Sequence, residues 1–592
     1  MHSLSIIRRG AVAAVAAAAF STAWADEGGA AADGALRDYF ENVTLYEAKA
    51  PALASAPAAG FHGRHVEGLE WITPTNAVGD ESRRTWRTRA WRNERVHGQF
   101  VVWTDEPRAQ LRASVTALAS DAGARIPAGR LQTRFVRFVH NCGDRRTAPA
   151  DYGDCLDTRA CVDLTTNGFR AVWLTVSVPA ETPAGVYRGT LTLTAGAADG
   201  IAFPVELEVV GRTLPAKTSF YLDLWQMPWS VARYHGVKPY SPLHYELLRP
   251  LLAELAAAGQ GAIMTLVVDD LWPCYGTSDT GNSMVDYRVF ADGRREFDFS
   301  VFDRYVDFAK SCGIGPQIHC YSFVRFQDDR RKVQTARLID GDTGLRKTVE
   351  FHGFDDPAWE AYWGPFAQAL ERHAREKGWL GDVYVAIDEM YAATLERVQA
   401  LLKKWAPGLK IQFASDKPYA QFAPYALDNF SQALRKDFMS EDLFADLAPR
   451  RAAGKTTTFY VCVGHPQKPN TFMNRPAAES EWMPLYAAAH GFDGFLRWAS
   501  YFWHRDPFFD TAYPGAPGET FFLYPGALAS VRWERMRDGI ETFDKVRILR
   551  RDGGMTPGLE AALGTLRFAP GLPDASYAAS VDAVNGELQK IR

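Results

Sequence analysis

The chain has 592 residues, enough for two or more separate cores. At 47% hydrophobic and 23% charged it has a globular composition, which excludes a disordered or fibrous chain. Lys and Arg number 66 against 70 Asp and Glu, a formal charge of -4 that gives no support to a polyanion-binding protein. Aromatic residues make up 13%, with 17 Trp, and such rings serve either to fill cores or to stack on sugars.

Residues 1–25 read as a secretion signal. Arg8 and Arg9 precede an apolar run from Ala11 to Phe20, and Ala23-Trp24-Ala25 supplies the small residues of a signal-peptidase site. Cleavage before Asp26 gives a periplasmic or secreted protein, and no later apolar run is long enough for a transmembrane segment. The seven Cys are residues 142, 155, 161, 274, 312, 320 and 462. In an oxidising compartment one disulfide is expected among Cys142, Cys155 and Cys161, whereas Cys320 and Cys462 read as small core residues. No spacing matches a C-x-x-C zinc knuckle.

From Leu36 to Arg212 the pattern is of short strands. Gln99 to Trp103, Phe135 to Val139, Ala171 to Val178, Gly189 to Thr194 and Val205 to Val210 are rich in β-branched and aromatic residues, with turns such as Pro183-Ala-Gly185 between them. Little helix intervenes, so an antiparallel β-sandwich is expected over 36–212.

From 213 onward strands alternate with helices. Strands are expected at Phe220 to Trp225, Ala262 to Val268, Pro316 to Tyr321, Val383 to Ile387, Lys410 to Ala414, near Asn429, Thr456 to Val463 and Gly494 to Trp498. Helical periodicity runs over Pro242 to Ala258, Val301 to Ser311, Pro357 to Lys377 and Thr394 to Trp405. Eight such units predict a closed (β/α)8 barrel with a C-terminal helical extension over 213–592, and the chemistry belongs where the strands end.

The fourth strand runs straight into Asp388-Glu389. Neighbouring strand residues point to opposite faces, so both acids serve one pocket only if the strand ends there and the loop turns Glu389 inward. Other strand ends carry Asp223-Leu-Trp225-Gln226, Asp269-Asp270-Leu-Trp272, His319-Cys-Tyr321, His465, Pro469-Asn470-Thr-Phe472, and Arg497-Trp498 followed by Tyr501-Phe-Trp503-His504. Several Trp interleaved with carboxylates and amide or phenol groups suit an uncharged sugar. A lone His at 319 or 465 reads as structural.

At these residues the chain resembles glycoside hydrolase family 123, across nearly all of its length after the signal. The resemblance is carried by Leu222-Asp-Leu-Trp-Gln226, Cys320-Tyr-Ser322, Ala386-Ile-Asp-Glu389, Pro469-Asn-Thr-Phe472, Gly491 to Ala499 and Arg532 to Ile540. The chain departs from the family pattern at Ser500-Tyr-Phe502 and after Glu389. The resemblance implies a β-sandwich beside a (β/α)8 barrel and an exo-acting β-N-acetylgalactosaminidase that uses the sugar's own 2-acetamido oxygen as nucleophile. On that footing Asp388 stabilises the acetamido group, Glu389 is the general acid/base, and Tyr321, Asn470, Arg497, Trp498, Trp503, Trp225 and Gln226 bind the sugar. Arg497 reads equally as the structural partner of a buried acid.

Two other readings stay open from the residues: a catalytically silent carbohydrate-binding protein whose pocket Tyr501 and Phe502 fill, and a two-carboxylate glycosidase with Asp270 as nucleophile. No metal or organic cofactor is called for, since no phosphate-binding Gly loop follows any strand. The expected partner is a glycan with a terminal β-N-acetylgalactosamine; oligomeric state is left open.

Overall fold

The computed structural model describes residues 51–143, 148–196, 199–269, 271–272, 283–425, 427–464, 468–503, 506–511, 515–569 and 571–591. The signal segment, residues 36–50, Asp270, Cys274, His465 and His504 lie outside the described residues.

Through Thr213 the chain forms two facing sheets. The five-stranded sheet has the order Phe61–Val66, Arg95–Thr104, Phe169–Ser177, Leu131–Asn141, Ala150–Asp157, every pair antiparallel. The other is centred on Gly185–Ala195 paired with Asp199–Thr213. One pair departs from the antiparallel expectation, since Trp86–Arg92 runs parallel to Asp199–Thr213. Phe100, Val172 and Leu174 of the first sheet meet Leu191, Phe203 and Leu207 of the second in a shared core.

Burial explains the two strand patterns in the sequence. Gly185–Ala195 alternates because one face meets the core and the other meets water. Phe169–Ser177 is buried along nearly its whole length. Its Val172 and Leu174 face the sandwich core, while Ala171 and Trp173 join the core of the C-terminal half, so this sheet is covered on both faces.

The C-terminal half holds eight parallel strands: β1 (Tyr221–Leu224), β2 (Ala262–Leu266), β3 (Gln317–Tyr321), β4 (Val383–Asp388), β5 (Lys410–Ser415), β6 (Asn429–Ala433), β7 (Thr456–Tyr460) and β8 (Gly494–Arg497). Hydrogen bonding runs continuously from β2 through β3 to β8 and on to β1. Between β1 and β2 the ladder shrinks to one bridge, Leu222 to Gln260. Two buried glutamines stitch this seam. Gln260 accepts from Leu224 N at 3.0 Å and donates to the Leu224 and Ala262 carbonyls; Gln226 accepts from Met264 N at 2.9 Å and donates to the same two carbonyls. The barrel is thus closed partly by side chains.

Helices surround the strands: α1 (Pro228–His235), α2 (Pro242–Ala257), α3 (Ser300–Ser311), α4 (Pro357–Glu376), α5 (Ala392–Trp405), α6 (Glu441–Ala452), α7 (Ala478–His490) and α8 (Val531–Arg551), followed by α9 (Pro557–Leu563) and α10 (Asp574–Leu588). The strands are apolar on both faces, as a parallel sheet wrapped by helices requires: Val385 and Ile387 of β4 join the helical core, while Ala386 faces the barrel interior. Helix α8 packs against α7, and its Arg537 pairs with Glu254 of α2 at 2.9 Å, closing the ring of helices.

Three features were not read from the sequence. A four-stranded sheet of Asp286–Val289, Arg295–Asp298, Gln334–Asp340 and Arg346–Phe351 is inserted around β3. The two halves are pinned by a fully buried ion pair: Arg532 Nε and Nη2 reach the two carboxylate oxygens of Asp154, each at 3.0 Å. No disulfide joins Cys142, Cys155 and Cys161. Cys155 is buried within its strand, Cys161 is a free thiol, and Cys142 Sγ donates to the Phe509 carbonyl.

Candidate active site

Asp388 is the last residue of β4, level with Ala414 of β5. Glu389 follows with φ +53°, in the left-handed region that side chains other than Gly, Asn and Asp seldom occupy. Its N–H still donates to the Ala414 carbonyl at 2.9 Å, so the ladder holds while the backbone turns. This turn breaks the strand's alternation and aims the second acid across the barrel mouth. There the Tyr460 hydroxyl, at the end of β7, donates to Glu389 Oε1 at 2.6 Å. Strained backbone of this kind costs about 1–3 kcal/mol and persists where the surroundings hold it.

Asp388 accepts from the indole N–H of Trp272 at 3.2 Å. Burial, then the adjacent Glu389 charge, pushes the Asp388 carboxyl well above the ordinary range, and the Trp272 bond opposes this. Burial, then nearby Asp416, raises Glu389 to about 7; Tyr460, Lys417 and Arg330 pull the other way. The two carboxyls are coupled and cannot both ionise cheaply, so near neutrality the pair holds a proton. Burial and the neighbouring charge thus both favour the neutral form of Asp388.

Trp272 is also the centre of an aromatic wall. It stacks on Trp225 at 5.1 Å and 27°, lies 6.4 Å from the Tyr321 ring, and meets Trp498 edge-on at 5.9 Å. Phe502 backs that wall, edge-on to Trp229 and Trp498. Tyr501 points into the helical core against Trp503, so of the two unusual rings after Ser500 it is Phe502 that backs the wall.

Of the seven expected sugar-binding side chains, only Trp498 is partly accessible. Its indole N–H donates to Glu519 Oε1 at 2.5 Å. Tyr321 and Trp225 are buried against Trp272. The other four are also inside the protein. Gln226 closes the barrel seam. Arg497 is the partner of a buried acid, bonding Glu519 Oε2 at 3.1 Å and the Val461 carbonyl at 3.1 Å. Asn470 accepts from Arg497 and donates to the Cys462 carbonyl. Trp503 donates to the Leu523 carbonyl at 2.8 Å and packs in the helical core. Trp272 and Tyr460, whose side chains hydrogen-bond the two carboxyls, follow or end strands β2 and β7; position at a strand end was the one signal available for them.

His319 is structural. It lies inside the barrel 3.5 Å from Asp223, and burial lowers it to about 3 while raising Asp223 to about 8, leaving both neutral near pH 7. Among the described residues no cluster of three His, Cys, Asp or Glu could hold a metal ion.

An acid pair at the mouth of a parallel barrel, backed by indoles, can donate a proton beside a sugar ring. Residues 225–549 match the glycoside hydrolase 123 catalytic domain, and residues 73–195 the glycoside hydrolase 123 N-terminal domain. The chain belongs to glycoside hydrolase family 123. The fold is shared with a family 123 glycoside hydrolase from Clostridium perfringens, studied for glycolipid glycan hydrolysis. The TM-score is 0.81 at 20% identity, over 90% of this chain and 98% of that one. A xyloglucanase from Bacteroides ovatus superposes loosely, with a TM-score of 0.29 at 8% identity over 78% of this chain and 99% of that one. A search of curated protein sequences finds no match. This family 123 hydrolase is a glycosidase, and its Asp388-Glu389 pair lies within the matched catalytic domain.

Proposed function

We propose that the protein removes terminal β-linked N-acetylgalactosamine from glycans by substrate-assisted catalysis with retention. The observation that carries this is the left-handed turn at Glu389, which brings two consecutive acids to one barrel mouth. Two adjacent carboxyls on one strand end lie on the same side of a bound sugar, and a substrate that supplies its own nucleophile needs neither of them on the opposite face. The galacto configuration rests on the family resemblance, and glycolipid glycans, the subject of the Clostridium perfringens study, are candidate substrates.

In the first step the 2-acetamido carbonyl oxygen attacks the anomeric carbon as the glycosidic C–O bond breaks. Glu389 gives its proton to the departing oxygen. The acetamido nitrogen becomes part of a positively charged oxazolinium ring, whose N–H faces Asp388. Positive charge arriving beside it favours the Asp388 carboxylate, so the proton held by the pair rests on Glu389, where the reaction needs it. In the second step the Glu389 carboxylate takes a proton from water. That water attacks the anomeric carbon, the ring C–O bond breaks, and the acetamide is restored.

Trp498 provides the accessible sugar face, held upright by Glu519 and braced by Trp272. Trp225 and Tyr321 support Trp272 from within. A periplasmic or secreted location is proposed from the signal segment. Glu389→Gln tests the acid role: turnover of a sugar leaving group falls about 10²- to 10⁴-fold, and an activated aryl leaving group suffers much less. Equal losses on both would contradict it.

A further inference from the structure

We propose that Tyr391, Lys417 and Arg330 form a subsite for the leaving-group sugar, taking a pyranose ring on the aglycone side of Glu389. This rests on the function proposed above.

Tyr391 stands two residues past the acid, at the N-terminus of α5, and its N–H donates to Asp329 Oδ2 at 3.0 Å. It is 48% exposed, the one aromatic among the large exposed hydrophobic side chains of the described residues. A single exposed hydrophobic residue is ordinary on a protein surface. Its neighbours set this one apart. The Lys417 ammonium lies 4.5 Å from the centre of the Tyr391 ring and 3.4 Å from the Glu389 main-chain carbonyl oxygen, so one cation bridges the ring and the backbone of the acid. The same ammonium bonds Asp416 Oδ1 at 2.5 Å, and the half-exposed Arg330 lies 3.9 Å from Asp416 Oδ2. Ring, ammonium, guanidinium and carboxylate thus sit together beside the acid that protonates the leaving oxygen.

That grouping suits a pyranose, which presents an apolar C–H face to an aromatic ring and a rim of hydroxyls to charged partners. The direction also fits. Asp388 is assigned to the acetamido group of the sugar being removed, so the departing sugar lies on the far side of Glu389, where the chain continues into Tyr391. Binding there acts at a distance from the breaking bond and lowers the barrier through the transition state.

The test compares two substrates on the intact protein: a disaccharide ending in β-N-acetylgalactosamine, and β-N-acetylgalactosaminyl azide, whose leaving group has no ring. Wild-type turnover of the azide checks the proposed function itself; no turnover of either substrate would overturn that function and this subsite with it. With azide turnover in hand, Tyr391→Ala should lower kcat/KM on the disaccharide roughly tenfold and on the azide by no more than about twofold. Tyr391→Phe, which keeps the ring, should stay near wild type on both. Equal losses on the two substrates, or an unaffected disaccharide rate in a Tyr391→Ala protein that melts like wild type, would overturn the subsite alone.

Discussion

Tyr460 and Glu389 meet at 2.6 Å from strands three places apart around the barrel. The phenol donates, so it stabilises the carboxylate form of Glu389. The acid step needs the protonated form, which is present below about pH 7 and lost as pH rises through that value. Tyr460→Phe removes the donor, raises the Glu389 pKa further, and moves the basic limb of the kcat/KM profile upward by about one to two pH units, given ~1.5–3 kcal/mol for a hydrogen bond to a charged group. An unmoved limb would show that the contact does not tune the acid.

Asp416 acts in the opposite sense. Its charge raises Glu389, and it also holds Lys417, whose charge lowers Glu389. Asp416→Asn removes the first influence and frees the second, so both changes move the basic limb to lower pH. Tyr460→Phe and Asp416→Asn therefore shift one limb in opposite directions, and shifts of the same sign would argue that Glu389 is not the group observed.

Gln226 separates a structural from a binding role. Replacing it with Leu leaves the buried Met264 N–H without its acceptor, at about 1–3 kcal/mol for an unsatisfied buried group, while Gln260 still serves the Leu224 and Ala262 carbonyls. The variant should unfold at lower denaturant or temperature while the folded fraction keeps its KM. A raised KM at unchanged stability would return Gln226 to the sugar pocket.

Much of the architecture could be read from the sequence because parallel barrel strands are buried on both faces and so appear as short apolar runs. All eight fall at the expected positions, including the one near Asn429. The inserted sheet could not be read this way: a strand such as Arg295–Asp298 is largely exposed and has no apolar pattern. The acid pair was visible from its place at a strand end, but the left-handed backbone that makes it work was not, since Glu carries no preference for that region. The indoles show the same limit. Trp272 and Trp503 both follow barrel strands, yet one holds Asp388 and the other fills the core, a difference that only tertiary packing decides.

The Asp154–Arg532 pair predicts how the halves depend on each other. Asp154→Ala leaves a buried guanidinium facing the Thr471, Gly518 and Phe521 carbonyls without its carboxylate. Breaking a buried pair by removing one partner typically costs ~3–5 kcal/mol. The variant should lose stability as a whole, with both halves unfolding at lower temperature. Unchanged calorimetric transitions would show that the sandwich and barrel do not rely on the pair.

The most direct measurement compares aryl β-galactosides that differ only at C2, carrying acetamido, trifluoroacetamido or hydroxyl. Fluorination weakens the carbonyl oxygen as a nucleophile, so kcat should fall steeply from the first to the second, and the third should not be turned over at all. Comparable rates across the three would mean that the protein supplies the nucleophile, contradicting the central role given to the Asp388-Glu389 pair.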